Sequence, residues 1–223
     1  MEKNASKKFD FVSFLTESFM FILACLLKPI TSIKNKINDY ADVKSAGLLT
    51  ILVSLCRMII VLLGEMIRNV IVPSGIFKSS KFTVSFEGLK NVAYFDIIVK
   101  QTIGFIVVIA LIAGVYYVVS CVMKKTVNYF KLVTISTLSF IPMYIAGFVS
   151  IIVSYIYAPL GVFIVFASLV YSVVTFIKCI NEEIKFDDNN FMVYFQTICM
   201  TVLFIITYYV LSNYISSSIS SLF

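Results

Sequence analysis

Five long stretches of apolar residues constrain the fold of this chain more than any other feature of its sequence. Each stretch reaches the roughly 20 residues that a helix needs to cross the hydrocarbon core of a bilayer. Inside that core every backbone polar group needs an internal hydrogen bond, and a helix supplies those bonds by itself. The sequence therefore predicts an all-α integral membrane protein, in which residues 46–215 form a five-helix transmembrane bundle. The predicted spans cover residues 46–72, 98–123, 132–156, 160–180 and 191–211.

The composition agrees with a chain whose surface faces lipid. Of the 223 residues, 60% are hydrophobic and only 13% are charged, and the mean hydropathy is +0.99. A soluble domain has about 25% charged residues. The net charge of +6 would suit a nucleic-acid ligand, but the lysines gather at the ends of the apolar stretches. Because that distribution is typical of membrane topology, we predict no nucleic-acid partner.

Residues 1–45 are predicted to form a cytoplasmic segment that contains an interfacial amphipathic helix. Over residues 9–27, apolar side chains recur at helical spacing and polar side chains fall near the opposite face. The uninterrupted apolar run 19–27 is too short to cross a bilayer, but it suits a helix that lies in the interface. The pattern leaves open whether this helix lies flat or dips partly inward. No small-residue cleavage pattern follows the apolar run, so the segment is expected to be retained.

The distribution of basic residues predicts the orientation of the chain. With a cytoplasmic N-terminus, five spans place twelve of the eighteen Lys and Arg residues on the cytoplasmic side, as the positive-inside rule requires. We therefore expect a multi-pass protein of the cell membrane, with its C-terminus and a short Ser-rich tail over 216–223 outside. Lysines that follow the first helix are expected to bind anionic lipids, each with about 1 kcal/mol. These lysines are Lys28, Lys34, Lys36 and Lys44.

The longest predicted connection, residues 74–96, contains a strand-like segment. Residues 81–86 alternate between polar and β-favouring side chains, and Glu87 and Gly88 follow as a turn signal. The pattern predicts a short strand in this connection.

Arg57 is the sharpest functional signal, because it lies near the middle of the first predicted span. A charge at that depth costs at least roughly 2.5 to 3.5 kcal/mol. Arg68 returns to nearly the same helical face, and Glu65 lies within pairing reach of Arg68. The three residues form a candidate intramembrane polar site that faces a cavity, a partner helix or an anionic ligand. The alternative is that Arg57 pairs internally or draws water into a locally thinned bilayer, while Glu65 and Arg68 form an interfacial pair.

Pro142 and Gly147 mark a candidate helix break in the third predicted span. Proline lacks the backbone N–H that would bind the carbonyl of Leu138, and it follows a hydroxyl-rich segment over residues 134–139. A broken, hydroxyl-rich helix can line a transport path. The alternative is that the hydroxyl groups satisfy the kink or bind a neighbouring helix.

Small residues and tyrosines suggest how the helices pack. Ala110 and Gly114 form a pair of small residues that favours close packing within the chain or between chains, so a membrane-protein partner or a homo-oligomer is expected. Tyrosines near the span ends, among them Tyr116, Tyr117 and Tyr157, are interpreted as belts at the membrane interface.

The sequence carries no motif of an enzyme, a metal site or a cofactor site. It contains no His, and it lacks the nucleophile-elbow, phosphate-loop and zinc-protease patterns. Its five cysteines are too widely spaced for a metal clip. The acidic loop over residues 181–190 could hold a cation or dock a partner at the cytoplasmic face, but it is interpreted as solvated. We therefore predict a non-enzymatic protein without catalytic residues, cofactor or metal.

Several local stretches resemble the bacterial branch of the Yip (Ypt-interacting protein) family. They are Leu27-Lys28-Pro29 before the first span, Ala113-Gly114-Val115-Tyr116-Tyr117 at the end of the second, and the run from Lys131-Leu132-Val133 to Ser139-Phe140-Ile141-Pro142 in the third. The similarity covers most of residues 20–215. It implies five spans with a cytoplasmic N-terminus. Eukaryotic members of that family bind Rab-type GTPases and shape or traffic membrane, but their cytosolic motifs are missing from this chain.

Two functional hypotheses follow from the sequence. The leading one is a non-enzymatic Yip-like protein that organises the bilayer or partner proteins through helix packing and its basic N-terminal segment. The alternative is a membrane-embedded substrate-binding or permease component of a transporter, in which Arg57 and the break at Pro142 face a shared cavity.

Overall fold

The structure, a computed structural model, describes residues 11–73, 82–186 and 188–220. The predictions that concern the basic start of the chain, Lys81 and the last three residues of the Ser-rich tail lie outside the described residues. Eight α-helices account for most of the described chain. They are α1 (Phe11–Leu27), α2 (Pro29–Lys36), α3 (Val43–Val70), α4 (Tyr94–Val122), α5 (Tyr129–Ser139), α6 (Ile141–Ile156), α7 (Ala158–Ile184) and α8 (Asn189–Ser220).

Five helical segments are long and apolar enough to cross a membrane, which confirms the predicted fold class. Each has at least 22 residues, and at 1.5 Å per residue this length exceeds the roughly 30 Å of a hydrocarbon core. They are span 1 (Val43–Val70), span 2 (Tyr94–Val122), span 3 (Tyr129–Ile156, made of α5 and α6), span 4 (Ala158–Ile184) and span 5 (Asn189–Val210). A shorter apolar helix precedes them, as predicted.

Local capping explains where span 1 begins. The Asp42 carboxylate accepts hydrogen bonds from the backbone N–H groups of Lys44 (2.9 Å) and Ser45 (3.0 Å). An acidic N-cap satisfies donors that a helix start leaves free, and the helix therefore begins at Val43, before the predicted start at residue 46. A hydropathy pattern does not detect a capping carboxylate, which explains why the predicted start of span 1 lies after the observed one.

Span 1 ends at Val70 because the chain then enters a short two-stranded sheet. Strand β1 (Ile71–Pro73) pairs antiparallel with β2 (Phe82–Val84), with Ile71 opposite Val84. The strand-like pattern was therefore correct for residues 82–84. Gly88, expected in a turn, lies instead in a 3₁₀-helix (Phe86–Asn91). A Cβ at Gly88 would lie 1.9 Å from the carbonyl oxygen of Asn69, so only glycine allows this approach.

The α1 helix packs against the bundle but does not have one apolar and one polar face throughout. Its buried side includes Ser18, Phe21 and Cys25. The exposed side of its second half is also apolar, with Met20 and Leu27 among its exposed residues. Exposed polar side chains are confined to the first half of the helix, in contrast to the amphipathic pattern predicted over residues 9–27. An apolar exposed surface suits contact with lipid or with another apolar surface.

The buried core lies towards one end of the bundle. We define the lysine-rich end as the end where spans 1, 3 and 5 begin and spans 2 and 4 end; it carries Lys34, Lys131 and Lys185. In α5 every residue from Leu132 to Ser139 is buried. The largest fully buried side chains include Tyr116, Phe176 and Phe195 from α4, α7 and α8. The outer halves of spans 4 and 5 instead expose most of their apolar side chains.

Candidate functional site

Arg57, the predicted intramembrane charge, lies on α3 and is held inside the bundle. Its Nη1 donates a hydrogen bond of 2.9 Å to the backbone carbonyl of Gln101 on α4. The guanidinium carbon lies 5.4 Å from the ring centroid of Phe105 and 5.1 Å from that of Tyr144. Both distances are within the roughly 6 Å range of cation–π contacts. Three helices, α3, α4 and α6, therefore meet around one charge.

Two cavities flank the Arg57 side chain. The first, of about 170 Å³, is lined by apolar residues of α1, α3 and α6 together with Arg57. The second is a groove of about 250 Å³ between α3, α6 and α7. Arg57, Glu65, Arg68 and Gly147 all line this groove, so it brings together four of the five residues that the sequence singled out.

Glu65 and Arg68 neutralise each other at the outer part of this groove. Arg68 Nη1 lies 2.8 Å from Glu65 Oε1, and the two side chains are 57% and 33% exposed. A pair with that exposure contributes about 0 to 1 kcal/mol. The arrangement is the pair that the spacing allowed, and Arg57 is not part of it.

The break in span 3 coincides with Pro142 and not with Gly147. Helix α5 ends at Ser139, Phe140 has a φ of −93° and a ψ of −1°, and α6 starts at Ile141 with the proline in its first turn. Proline is tolerated there because a first-turn N–H has no partner inside the helix. Helix α6 runs without interruption through Gly147.

Two of the four hydroxyls in the segment before the break bind neighbouring elements, whereas Ser136 Oγ and Ser139 Oγ are buried without a hydrogen-bond partner in the described part of the chain. Thr137 Oγ1 lies 3.1 Å from Thr50 Oγ1 on α3, and Thr50 Oγ1 donates to the carbonyl of Ala46 at 2.8 Å. Thr134 donates to the carbonyl of Tyr40 at 2.9 Å. These hydroxyls thus join α5 to α3 and to the segment after α2, which is the packing alternative for this pattern.

Tyr40 connects the N-terminal helices to span 3. Its hydroxyl lies 3.1 Å from the buried Ser18 hydroxyl of α1, and the ring of Phe21 stacks on its ring at 5.2 Å. Burial raises the pKa of Tyr40 above its usual value, so this hydroxyl stays neutral over the physiological range. The neighbouring Asp42 has a lowered pKa, because the Ser45 hydroxyl donates a hydrogen bond to its carboxylate.

Tyr116 is part of the core, and its assignment to an interfacial belt was wrong. It is fully buried, with edge-to-face ring contacts to Phe176 (5.0 Å) and Phe195 (5.7 Å). Its hydroxyl donates to Gln196 Oε1 at 2.7 Å, and Gln196 Nε2 donates to Asn181 Oδ1 at 2.7 Å. This chain of hydrogen bonds joins spans 2, 5 and 4. Tyr157, in contrast, is exposed at the turn between spans 3 and 4.

The lysine-rich end holds a second site that the sequence pattern missed. Lys131 Nζ lies 2.8 Å from Glu183 Oε1, and Lys34 Nζ lies 3.3 Å from Glu182 Oε2. These pairs border a cavity of about 680 Å³ between α2, α5 and α7. The two glutamates belong to the acidic segment that was interpreted as solvated. No local sequence pattern could indicate their pairing, because their lysine partners lie far away in the chain.

The four lysines expected at anionic lipids have different surroundings. Lys34 pairs with Glu182, and Lys36 Nζ lies 5.8 Å from the ring centroid of Phe21. Lys28 is exposed at the start of α2, and Lys44 is exposed at the start of α3. Lys34, Lys36 and Lys44 therefore lie near the lysine-rich end of the bundle.

His, Cys, Asp and Glu are the residue types that most often bind metals or act in catalysis. Within the described residues, no group of three or more His, Cys, Asp or Glu side chains lies close enough together to hold a metal ion. All five cysteines are free thiols, and Cys25, Cys179 and Cys199 are buried. What these helices define is a multi-pass, mainly helical membrane protein in which several buried polar side chains join its own helices.

The comparison with protein families identifies the particular group. The family described as "Yip1 domain" matches residues 23–212, which is most of the chain. The chain belongs to the Yip1 family. This match confirms the resemblance to Yip proteins seen in the sequence, and it does not distinguish the bacterial branch from others. Comparisons with curated proteins and with solved structures gave no match.

Proposed function

We propose that this Yip1-family protein is non-enzymatic and organises the bilayer or a partner membrane protein through helix packing and its lysine-bearing N-terminal segment. The observation that supports this proposal most directly is the environment of Arg57. Its guanidinium is engaged by the Gln101 carbonyl and by the rings of Phe105 and Tyr144. A charge used in this way stabilises the packing of three spans.

The groove beside Arg57 gives no specific support to the transporter alternative. Of its charged lining residues, Glu65 and Arg68 already form a pair, and Arg57 makes its contacts to the bundle. The remaining lining residues include Ile60, Phe148 and Val165, which suit an acyl chain better than a polar solute. We therefore retain the organising role.

Spans 4 and 5 provide the surface that such a role requires. Helix α8 packs mainly on α4, and α7 packs mainly on α6. Their outward faces expose large apolar side chains such as Phe163, Phe166 and Phe204. In a bilayer these faces contact lipid, a second copy of the chain or a partner helix, and van der Waals packing decides between them.

The N-terminal helices place lysines beside the bundle. In the proposed orientation they lie in the cytoplasm at a leaflet that carries anionic lipids, where Lys28 and Lys36 each contribute about 1 kcal/mol of attraction. Because α1 and α2 pack against the spans, that attraction acts on the bundle as a whole.

The proposal can be tested with the full chain in vesicles. The purified protein is reconstituted at increasing density into vesicles with and without anionic phospholipid, and vesicle diameters are measured by cryo-electron microscopy alongside self-association by energy transfer between labelled copies. We expect a density-dependent change in diameter or association that is stronger with anionic lipid. The double variant Lys28→Gln/Lys36→Gln should reduce it, whereas Lys90→Gln, at the opposite end of the bundle, should not.

The contrary result is equally clear. Vesicles of unchanged diameter that contain a monomeric protein at every density would overturn the organising role. A solute flux that depends on Arg57 in the same vesicles would support the transporter alternative in its place.

A further inference from the structure

The cavity at the lysine-rich end is lined by both signs of charge. Three lysines, Lys34, Lys131 and Lys185, and two glutamates, Glu182 and Glu183, border a volume of about 680 Å³. Three positive and two negative charges leave a net charge of +1 on the lining. A ligand that complements this lining carries a negative group and a positive group close together.

The two ion pairs of the cavity differ in how easily a ligand can separate their side chains. Lys131 and Glu183 are about 20% exposed and lie 2.8 Å apart, so they form a closed wall. Lys34 and Glu182 are 66% and 42% exposed and lie 3.3 Å apart. Exposed pairs contribute little to stability, so a ligand can separate Lys34 from Glu182 at low cost.

Lys185 adds a third charge in an unusual backbone conformation. It ends α7 with a φ of 51°, a region in which glycine is strongly preferred. Within the described part of the chain its ammonium group forms no ion pair, although its backbone carbonyl accepts a hydrogen bond from Lys125 Nζ at 3.4 Å. A lysine in a position that favours glycine places a charge at the cavity despite the conformational cost.

We propose that this cavity binds a phosphoethanolamine group, and that its source is the headgroup of a phosphatidylethanolamine molecule in the surrounding bilayer. The phosphate would bind Lys34 and Lys185, and the primary ammonium would donate hydrogen bonds to Glu182. The apolar side chains of Ile33 and Ile37 line the same cavity and would contact the glycerol and the first methylene groups. The cavity lies where spans 3 and 4 meet the lysine-rich end, which is the depth of lipid headgroups.

The same chemistry discriminates against the other common phospholipid headgroups. A choline headgroup carries a quaternary ammonium, which has no N–H to donate to Glu182. A glycerol headgroup offers a phosphate without a cation, so Glu182, once separated from Lys34, would repel it or remain unpaired. This inference requires that the chain lies in a bilayer, but it does not depend on the organising role proposed above.

The test is a lipid titration of the full chain in detergent, followed by native mass spectrometry. The probes are phosphatidylethanolamine, phosphatidylcholine and phosphatidylglycerol with identical acyl chains, and soluble phosphoethanolamine. We expect phosphatidylethanolamine to bind about tenfold more tightly than the other two lipids, as the loss of one charge-assisted hydrogen bond implies. Glu182→Gln should abolish most of this preference. Lys185→Gly should instead weaken the binding of all three lipids, because each of them carries the phosphate that Lys185 contacts.

Lys124→Gly is the matched control. Lys124 also has a positive φ, 57°, but it does not line the cavity. Glycine is tolerated at both positions, so both variants should fold, and only Lys185→Gly should weaken lipid binding. Equal loss in the two variants would show that turn conformation and not the Lys185 charge is responsible, and it would overturn the assignment.

The lipid series gives the remaining outcomes. Equal binding of phosphatidylcholine would exclude a role for the primary ammonium, and tighter binding of phosphatidylglycerol would show that the cavity selects anions; either result overturns the proposal. If soluble phosphoethanolamine binds as tightly as the lipid, a free metabolite of that class replaces the bilayer as the source.

Discussion

The two halves of span 3 are adjacent in sequence, yet they have opposite environments. In α5 all eight residues from Leu132 to Ser139 are buried, although half of them are Ser or Thr. In α6 only Ile141 and Ser150 are buried, although this helix is the more apolar of the two. The more polar half is therefore the one that the other helices surround. In a membrane, hydroxyl groups are best placed where neighbouring helices can bind them, and apolar side chains lose nothing by facing lipid.

The largest expected effect is a loss of packing in the surrounded half. Leu138→Ala removes a fully buried side chain from α5 and should lower the free energy of unfolding by about 2 to 5 kcal/mol. Ile152→Ala removes a side chain of the same size from α6, where it is 46% exposed, and should cost less than about 1 kcal/mol. Unfolding in SDS, followed by circular dichroism, measures both; equal losses would contradict the difference between the halves.

The α6 half has its own close contact, which is with α7. A Cβ at Gly161 would lie 1.9 Å from the Ser154 hydroxyl and 2.9 Å from the carbonyl of Ser150. Gly161→Ala should therefore separate the two helices and cost about 1 to 3 kcal/mol. Gly147→Ala is the control, because nothing lies within 4 Å of a Cβ there; it should be neutral or stabilise α6 by up to about 1 kcal/mol. If Gly161→Ala leaves the free energy of unfolding unchanged, α6 and α7 are packed more loosely than the contact at Gly161 implies.

The side chain of Arg57 connects the α6 half to the rest of the bundle through Tyr144. Arg57→Lys keeps the charge but loses the planar group that contacts two rings, and it should cost about 1 to 2 kcal/mol. Arg57→Met keeps the length without the charge and should be the milder change, since it removes the cost of holding a cation in the apolar layer. If Arg57→Lys is instead harmless and Arg57→Met abolishes a solute-binding signal, the charge has a ligand and not a packing role. Arg68→Lys, in an exposed pair, is the control and should change stability by less than about 0.5 kcal/mol.

The smallest expected change in stability concerns Asp42, the N-cap of span 1. Its side chain forms no hydrogen bond with either half of span 3 in the described part of the chain. The Ser45 hydroxyl lowers the pKa of the Asp42 carboxyl below its ordinary 3.8. The ionised cap thus contributes stability above about pH 4, and this contribution is lost as the pH falls through the lowered pKa of the folded state. Asp42→Asn should retain most of the cap and remove this dependence, while Asp42→Ala should cost about 1 kcal/mol at neutral pH. Thermal melts between neutral and acidic pH compare the three proteins; an unchanged acid response in Asp42→Asn would assign the dependence to another group.

Hydropathy was sufficient to predict the five spans, because the cost of exposing backbone in lipid depends on length and composition alone. The Glu65–Arg68 pair and the position of the break near Pro142 could also be predicted, because both follow from helix periodicity and from one missing N–H. Contacts between distant segments could not. The Gln101 carbonyl that binds Arg57 carries no sequence signal, since every residue has a carbonyl.

The cavity at the lysine-rich end was missed for a related reason. Lys34 and Glu182 are far apart in the chain, and a charge run such as 182–188 looks solvated when its partners are unknown. Tyr116 was misplaced because tyrosines near span ends usually face the interface, whereas here Gln196 provides a buried partner for its hydroxyl. In each case a hydrogen bond or ion pair across the bundle decided the position of a polar side chain.

The hydrogen bond between Thr134 and the carbonyl of Tyr40 has a consequence for biosynthesis. Its two residues are separated by 94 positions, and a ribosome that adds about 5 to 20 residues per second needs about 5 to 19 seconds to produce the second after the first. Until span 3 has been inserted, α1 and the segment around Tyr40 lack the surface on which they are finally buried. Helix α1 is thus synthesised before the spans that bury it, and it can reach its final position only after span 3 has been made.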